Sequence, residues 1–169
     1  MSIDEAQKRI KKILDQKTPL LIKKLSKFLN DLPFEVLDHA ISKNDIDAIY
    51  FEYESDSLTP IACPLNSKVG YCGAGEVVEI LNPDEDQLFP YEYFFDLIKS
   101  CSNDQKEAFE ESLFSLQANM YEQWFIDCWK QTRNLRPSIR GFISIHDSSY
   151  CIDLDSKAQL KIQDGTKFF

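Results

Sequence analysis

Apolar residues at the start of the chain fall into helical stripes. Ile3, Ala6, Ile10, Ile13 and Leu14 share one face. Ser2 stands where a helix cap belongs, and Asp4 and Glu5 occupy the first turn, where negative charge suits the helix dipole. Thr18-Pro19 interrupts the pattern: proline lacks the N–H of a helix interior but fits the first position of a new helix capped by Thr18. Leu21, Leu25, Phe28, Leu29 and Leu32 make the stripe of that predicted second helix, which ends near residues 30–33. Lys23, Lys24 and Lys27 lie on its solvent side.

At residues 45–54, DIDAIYFEYE, the period changes to alternation among β-branched and aromatic residues, which predicts a strand. Ile49, Phe51 and Tyr53 share one of its faces, and Ala48, Tyr50 and Glu52 the other. Bulk on both sides predicts a central position, with helices covering one face. Residues 58–65 are expected to pair with it, Pro60 and Pro64 favouring a sheet edge. Residues 76–81 are expected to form a further short strand before an Asn82-Pro83 turn.

The second half predicts a helix after Pro90, then a long helix over residues 104–133 capped by Ser102 or Asn103. Its stripe of Phe109, Leu113, Leu116 and Met120 widens at Tyr121, Trp124, Phe125, Cys128 and Trp129 until most of the circumference is apolar. That half is therefore expected to lie buried across the sheet, with Arg133 and Arg136 complementing its dipole. Residues 140–147 and 150–154 read as a hairpin around Asp147-Ser148-Ser149.

The order helices, strands, helices, strands predicts one α+β domain over residues 1–169. It should hold an antiparallel-dominated sheet of four to six strands with about four helices packed on it. Trp124, Phe125, Cys128 and Trp129 are expected at the helix–sheet junction, facing Ile49, Phe51, Phe142, Ile143 and Ile152.

Charge adds a polarity to this plan. The net charge is −9, but residues 1–30 carry eight Lys/Arg against three Asp/Glu, a net of +5. Residues 31–99 carry three against fifteen, a net of −12, and residues 100–169 eight against ten, a net of −2. So acidic a middle third repels nucleic-acid phosphate and anionic lipid and attracts basic partners. The opening residues 1–17 are charged throughout and lack the apolar core of a secretory signal, and no apolar run approaches a membrane span; a cytoplasmic protein is expected. The five cysteines are odd in number, widely spaced and without a CxxC pair. They are expected to be reduced and structural, holding neither disulfides nor zinc.

Motifs for catalysis and cofactors are sparse. There is no GxSxG elbow, and the histidines are His39 and His146. His146-Asp147 at a strand end with Cys151 nearby gives the enzymatic alternative, a hydrolase or thiol enzyme, although a hairpin brings such residues together by geometry alone. GYCGAGE, residues 70–76, matches neither phosphate-cradling pattern and reads as a turn. NPDED, residues 82–86, lacks the spacing of a calcium loop. No cofactor or metal is called for. Aromatic residues accompany acids instead, in YFEYE (50–54) and YEYFFD (91–96), a pairing that suits a basic protein partner: tyrosine supplies anchor area and carboxylates supply steering.

Three segments resemble a known group. AIYFEYESDSLTPIACPLN (48–66), WFIDCW (124–129) and GFISIHDSS (141–149) are similar to the strand, the Trp-bearing helix and the late Asp-ended strand of small acidic immunity proteins from bacterial toxin–immunity systems, contact-dependent or polymorphic. The chain departs from the better-known immunity families in lacking their Gly-rich turn and Trp pattern. The resemblance implies inhibition of a cognate toxin by binding. Together with the charge it leads to a non-catalytic binding domain for a basic protein such as a toxin domain, with no role for nucleic acid or membrane. Tyr53, Glu54, Asp56, Asp84, Glu85, Asp86 and Glu92 are its expected interface, because they lie in or beside loops. Besides the enzyme, an uncharacterised scaffold domain is the remaining alternative.

Overall fold

The computed structural model describes residues 2–34, 42–55, 57–67, 70–71, 78–82, 86, 88, 98–99 and 106–162. Helix α1 spans Ile3–Asp31 and opens with the expected capping box: the Ser2 hydroxyl accepts from the Glu5 N–H, and the Glu5 carboxylate accepts from the Ser2 N–H, each at 3.3 Å. The break expected at Thr18-Pro19 does not occur, and Pro19 lies inside one continuous helix. Packing outweighs the local cost of proline here. Ala6, Ile10, Leu14, Leu21, Leu25, Phe28 and Leu29 stay in one buried stripe across it. Thr18 Oγ1 donates to the Leu14 carbonyl at 3.0 Å and accepts from Trp124 Nε1 at 2.8 Å.

A short 3₁₀ turn at Lys43–Asp45 leads into β1, Ala48–Tyr53. Next come β2 (Pro60–Asn66), β3 (Gly70–Tyr71) and β4 (Val78–Glu79). Helix α2, Lys106–Thr132, ends in a 3₁₀ turn at Arg133–Leu135, and β5 (Arg140–Ile145), β6 (Tyr150–Asp153) and β7 (Gln159–Lys161) follow. The strands form one sheet in the order β3-β2-β1-β5-β6-β7, with β4 also on β2. All pairings are antiparallel except β1 with β5, which run parallel at the centre. The α+β class and the antiparallel-dominated sheet thus stand. About four helices is not supported: the described residues hold two long ones, because the first two predicted helices are one. The helix predicted after Pro90 lies mostly outside the described residues, as do the caps Ser102 and Asn103.

Strand β2 is not the edge its prolines suggested. Besides β1 it pairs with β4 at Ile61 and Ala62 and with β3 at Leu65 and Asn66.

The core lies between the helices and one face of the sheet. Phe51 is its centre, with ring centroids of Phe125 at 4.9 Å, Trp129 at 5.7 Å and Phe28 at 6.0 Å. Trp124, Phe125, Cys128 and Trp129 are all buried there, with Ile49 and Ile143 opposite and Ile152 packed at the margin. Phe142 is the exception. Alternation puts Gly141, Ile143 and Ile145 toward the helices and Phe142 on the reverse face, in a separate small cluster with Ala48, Leu65 and Cys151. Arg136 differs too: it donates to the carbonyls of Leu29 (3.0 Å) and Asn30 (3.2 Å), so it caps the end of α1, not its own helix.

Candidate functional site

Parallel pairing puts the carboxyl ends of β1 and β5 side by side, Tyr53 opposite Ile145. The His146 N–H donates to the Tyr53 carbonyl at 2.8 Å and extends the ladder by one residue. Strand alternation then decides what gathers there. On the reverse face, away from the helices, β1 carries Ala48, Tyr50 and Glu52, while β5 carries Arg140, Phe142 and Ser144. The end of that row is polar. His146 Nδ1 stands 3.0 Å from Glu52 Oε1 and 3.9 Å from Glu54 Oε1, and His146 Nε2 stands 3.6 Å from Asp147 Oδ1. Asp147 has φ 59, a left-handed conformation that aspartate tolerates and that turns the chain into β6. Ser148 Oγ, accepting from the Tyr150 N–H at 3.1 Å, closes the turn.

Exposure grades this group outward. The Glu52 side chain is 23% exposed, His146 48%, Glu54 60% and Asp147 91%. Hydrogen bonding to Glu52 first, and then the charges of Glu52, Asp147 and Glu54, raise the His146 pKa above its ordinary 6.5. One step inward, the Tyr50 hydroxyl is hydrogen-bonded to Ser144 Oγ, which donates on to the Ile145 carbonyl at 3.0 Å. Burial is the main cause that pushes Tyr50 up to about 12, so its phenol stays protonated and serves as a strut.

Of the residues expected at the interface, Glu54 is exposed and belongs to this group. Tyr53 does not: it points to the helix side, is 1% exposed, and donates from its hydroxyl to Glu122 Oε1 at 2.8 Å. Burial, chiefly, raises the pKa of both partners. Asp86 is also turned inward, at 8% exposed. Its Oδ2 accepts from Lys24 Nζ at 2.8 Å and from the Asn82 N–H at 3.0 Å, and the bond to Lys24 holds its carboxyl below the usual range. It ties Asn82 to α1 beside a cavity of about 350 Å³ lined by Lys24, Phe28, Val78 and Ile80 among others. Asp56, Asp84, Glu85 and Glu92 lie outside the described residues.

The enzymatic trio is only partly brought together. His146 and Asp147 are neighbours, but Cys151 is buried in the reverse-face cluster, and burial pushes its thiol up to about 11. A nucleophilic cysteine needs the opposite shift. The polar contacts of the imidazole among the described residues are carboxylates, an arrangement that favours the protonated ring. Cys63 and Cys128 are likewise buried, and no group of three His, Cys, Asp or Glu among the described residues is placed to hold a metal ion.

One member was missed in the sequence. Glu52 is brought to His146 only by parallel pairing, which the sequence pattern does not specify. Tyr150, 46% exposed, opens β6 directly after the turn, but alternation puts it on the helix-facing side with Ile152, across the sheet from Glu52. No helix among the described residues is long and apolar enough to cross a membrane. Comparison with protein-family models, with curated proteins and with solved structures gave no match.

Proposed function

We propose that this chain is a non-catalytic binding domain whose acidic surface engages a basic protein, in the manner of an immunity protein that neutralises a toxin domain. The observation that carries the reading is the set of three carboxylates, Glu52, Glu54 and Asp147, gathered at the carboxyl ends of β1 and β5 with the outer two well exposed. Asp56 follows Glu54 in the chain, and Asp84, Glu85 and Glu92 extend the same acidic third, so they stay within the proposed surface.

The physics favours such a partner twice. A field of one sign speeds encounter with a basic molecule, and carboxylates can occupy a cationic groove that otherwise holds phosphate. Affinity capture from the source cell's lysate, stepped from about 50 to about 500 mM salt, tests this, because surface electrostatics weaken as the Debye length shrinks. A basic partner should be retained at low salt and released at high salt. It should be lost at low salt from the Glu54→Gln/Asp147→Asn double variant. A salt-insensitive partner, or none, defeats the proposal.

A further inference from the structure

The same group of side chains has a second property, which belongs to the imidazole and not to the carboxylates. We infer that His146 is a proton-operated clasp. Its imidazolium ties the carboxylates of Glu52, Glu54 and Asp147 together, and loss of the proton releases them to a cationic partner. The geometry is explicit. Both ring nitrogens face carboxylate oxygens, Nδ1 toward Glu52 at 3.0 Å and Glu54 at 3.9 Å, Nε2 toward Asp147 at 3.6 Å. Only the doubly protonated ring presents an N–H to carboxylates on both sides, a hydrogen bond to Glu52 and ion-pair contacts to Glu54 and Asp147; the neutral ring must turn a lone pair toward one side.

The charged groups facing the ring are these alone among the described residues: Glu52 and Glu54 from β1, and Asp147 from the turn. Arg140, at the far end of β5, is engaged by Asp153 at 2.7 Å. Protonated, the group carries three negative charges and one positive; deprotonated, three negative charges. The sign follows from the raised pKa. The clasp's contribution to the fold is fully present below about 6.5 and is lost as pH rises through the higher folded value. Availability to a basic partner runs the other way and grows with pH.

The clasp stands on the geometry; its effect on binding rests on the reading proposed above, and the two are separable by experiment. Imidazole C–H resonances followed by NMR across pH give the His146 midpoint, with His39→Gln to assign the two histidines. The midpoint should lie above 6.5, and should fall toward 6.5 in Glu52→Gln and in high salt. A midpoint at or below 6.5 that Glu52→Gln does not move overturns the clasp. A tetra-arginine peptide then serves as the cationic probe. Its affinity should rise about two- to fivefold between about pH 5.5 and about pH 8, the range one exposed ion pair supports, and should be flat in His146→Gln. Equal affinity at both pH values in the unsubstituted protein overturns the release. Absence of binding at either pH, with the raised and Glu52-dependent midpoint intact, overturns the acidic-surface reading and leaves the clasp.

Discussion

On the helix-covered face of the sheet, β1 sends Ile49, Phe51 and Tyr53 into rings and aliphatic chains from both helices. On the other face the same strand sends out Ala48, Tyr50 and Glu52, which run from a small apolar cluster with Leu65, Phe142 and Cys151 to a group of ionisable side chains. One strand thus serves two purposes on alternate residues. The helix side is dense and non-polar, and a misplaced atom there has nowhere to go. The reverse side ends in carboxylates whose partners are a proton and the solvent. Stability should therefore reside in odd-numbered residues of β1 and β5, and recognition in even-numbered residues and the turn beyond them.

Substitutions can break that division, and the largest effect belongs to Trp129. It packs edge-on to Phe51 and donates from Nε1 to Asp155 Oδ1 at 3.1 Å. Trp129→Ala should lower unfolding free energy by about 3–5 kcal/mol in urea titrations. Gly141 comes next: a Cβ there would stand 2.7 Å from both Leu154 Cδ1 and Trp129 Cζ2. The leucine tip can swing aside, but the indole is held, so Gly141→Ala should cost about 1–3 kcal/mol.

Two tyrosines on the helix side sharpen the comparison further. Their rings lie 4.6 Å apart, yet the Tyr53 hydroxyl is bonded to Glu122, while that of Tyr121 is buried without a partner among the described residues. Tyr53→Phe should cost about 1–2 kcal/mol, because Glu122 then loses its donor. Tyr121→Phe, which removes only an unmatched hydroxyl, should be neutral or stabilising by up to about 1 kcal/mol. A loss in both would contradict the different roles assigned to them. The smallest effect is expected on the reverse side: Glu54→Gln and Asp147→Asn should each shift stability by no more than about 0.5 kcal/mol, since both are exposed. Asparagine also tolerates the left-handed backbone at 147.

Much of the helix side was legible in the sequence, for a physical reason. Burial writes itself as periodicity, so the alternation of β1 and the widening stripe before Trp129 located the core directly. Pro19 misled because its local cost is fixed while the packing that offsets it, Leu14 and Leu21 on either side and Trp124 Nε1 on Thr18, is a tertiary contact. Phe142 was misplaced for a related reason: in a strand with apolar residues on both faces, hydrophobicity does not tell front from back. The site was harder still. Glu54, His146 and Asp147 each stood out, but under separate readings, one as interface and two as catalyst. They meet with Glu52 only because β1 and β5 pair in parallel, and that pairing joins strands separated by about half of the chain.

The account turns on which of the two regions a partner touches. Amide chemical-shift mapping of the labelled protein, with the basic partner recovered by capture at low salt, distinguishes them directly. The account predicts changes concentrated at Glu52, Glu54, His146 and Asp147 that fade as salt rises, while Phe51 and Trp129 stay unmoved. Between the helices runs an apolar groove of about 320 Å³ lined by Leu14, Met120 and Trp124 among others. Changes concentrated there, and indifferent to salt, would contradict the account.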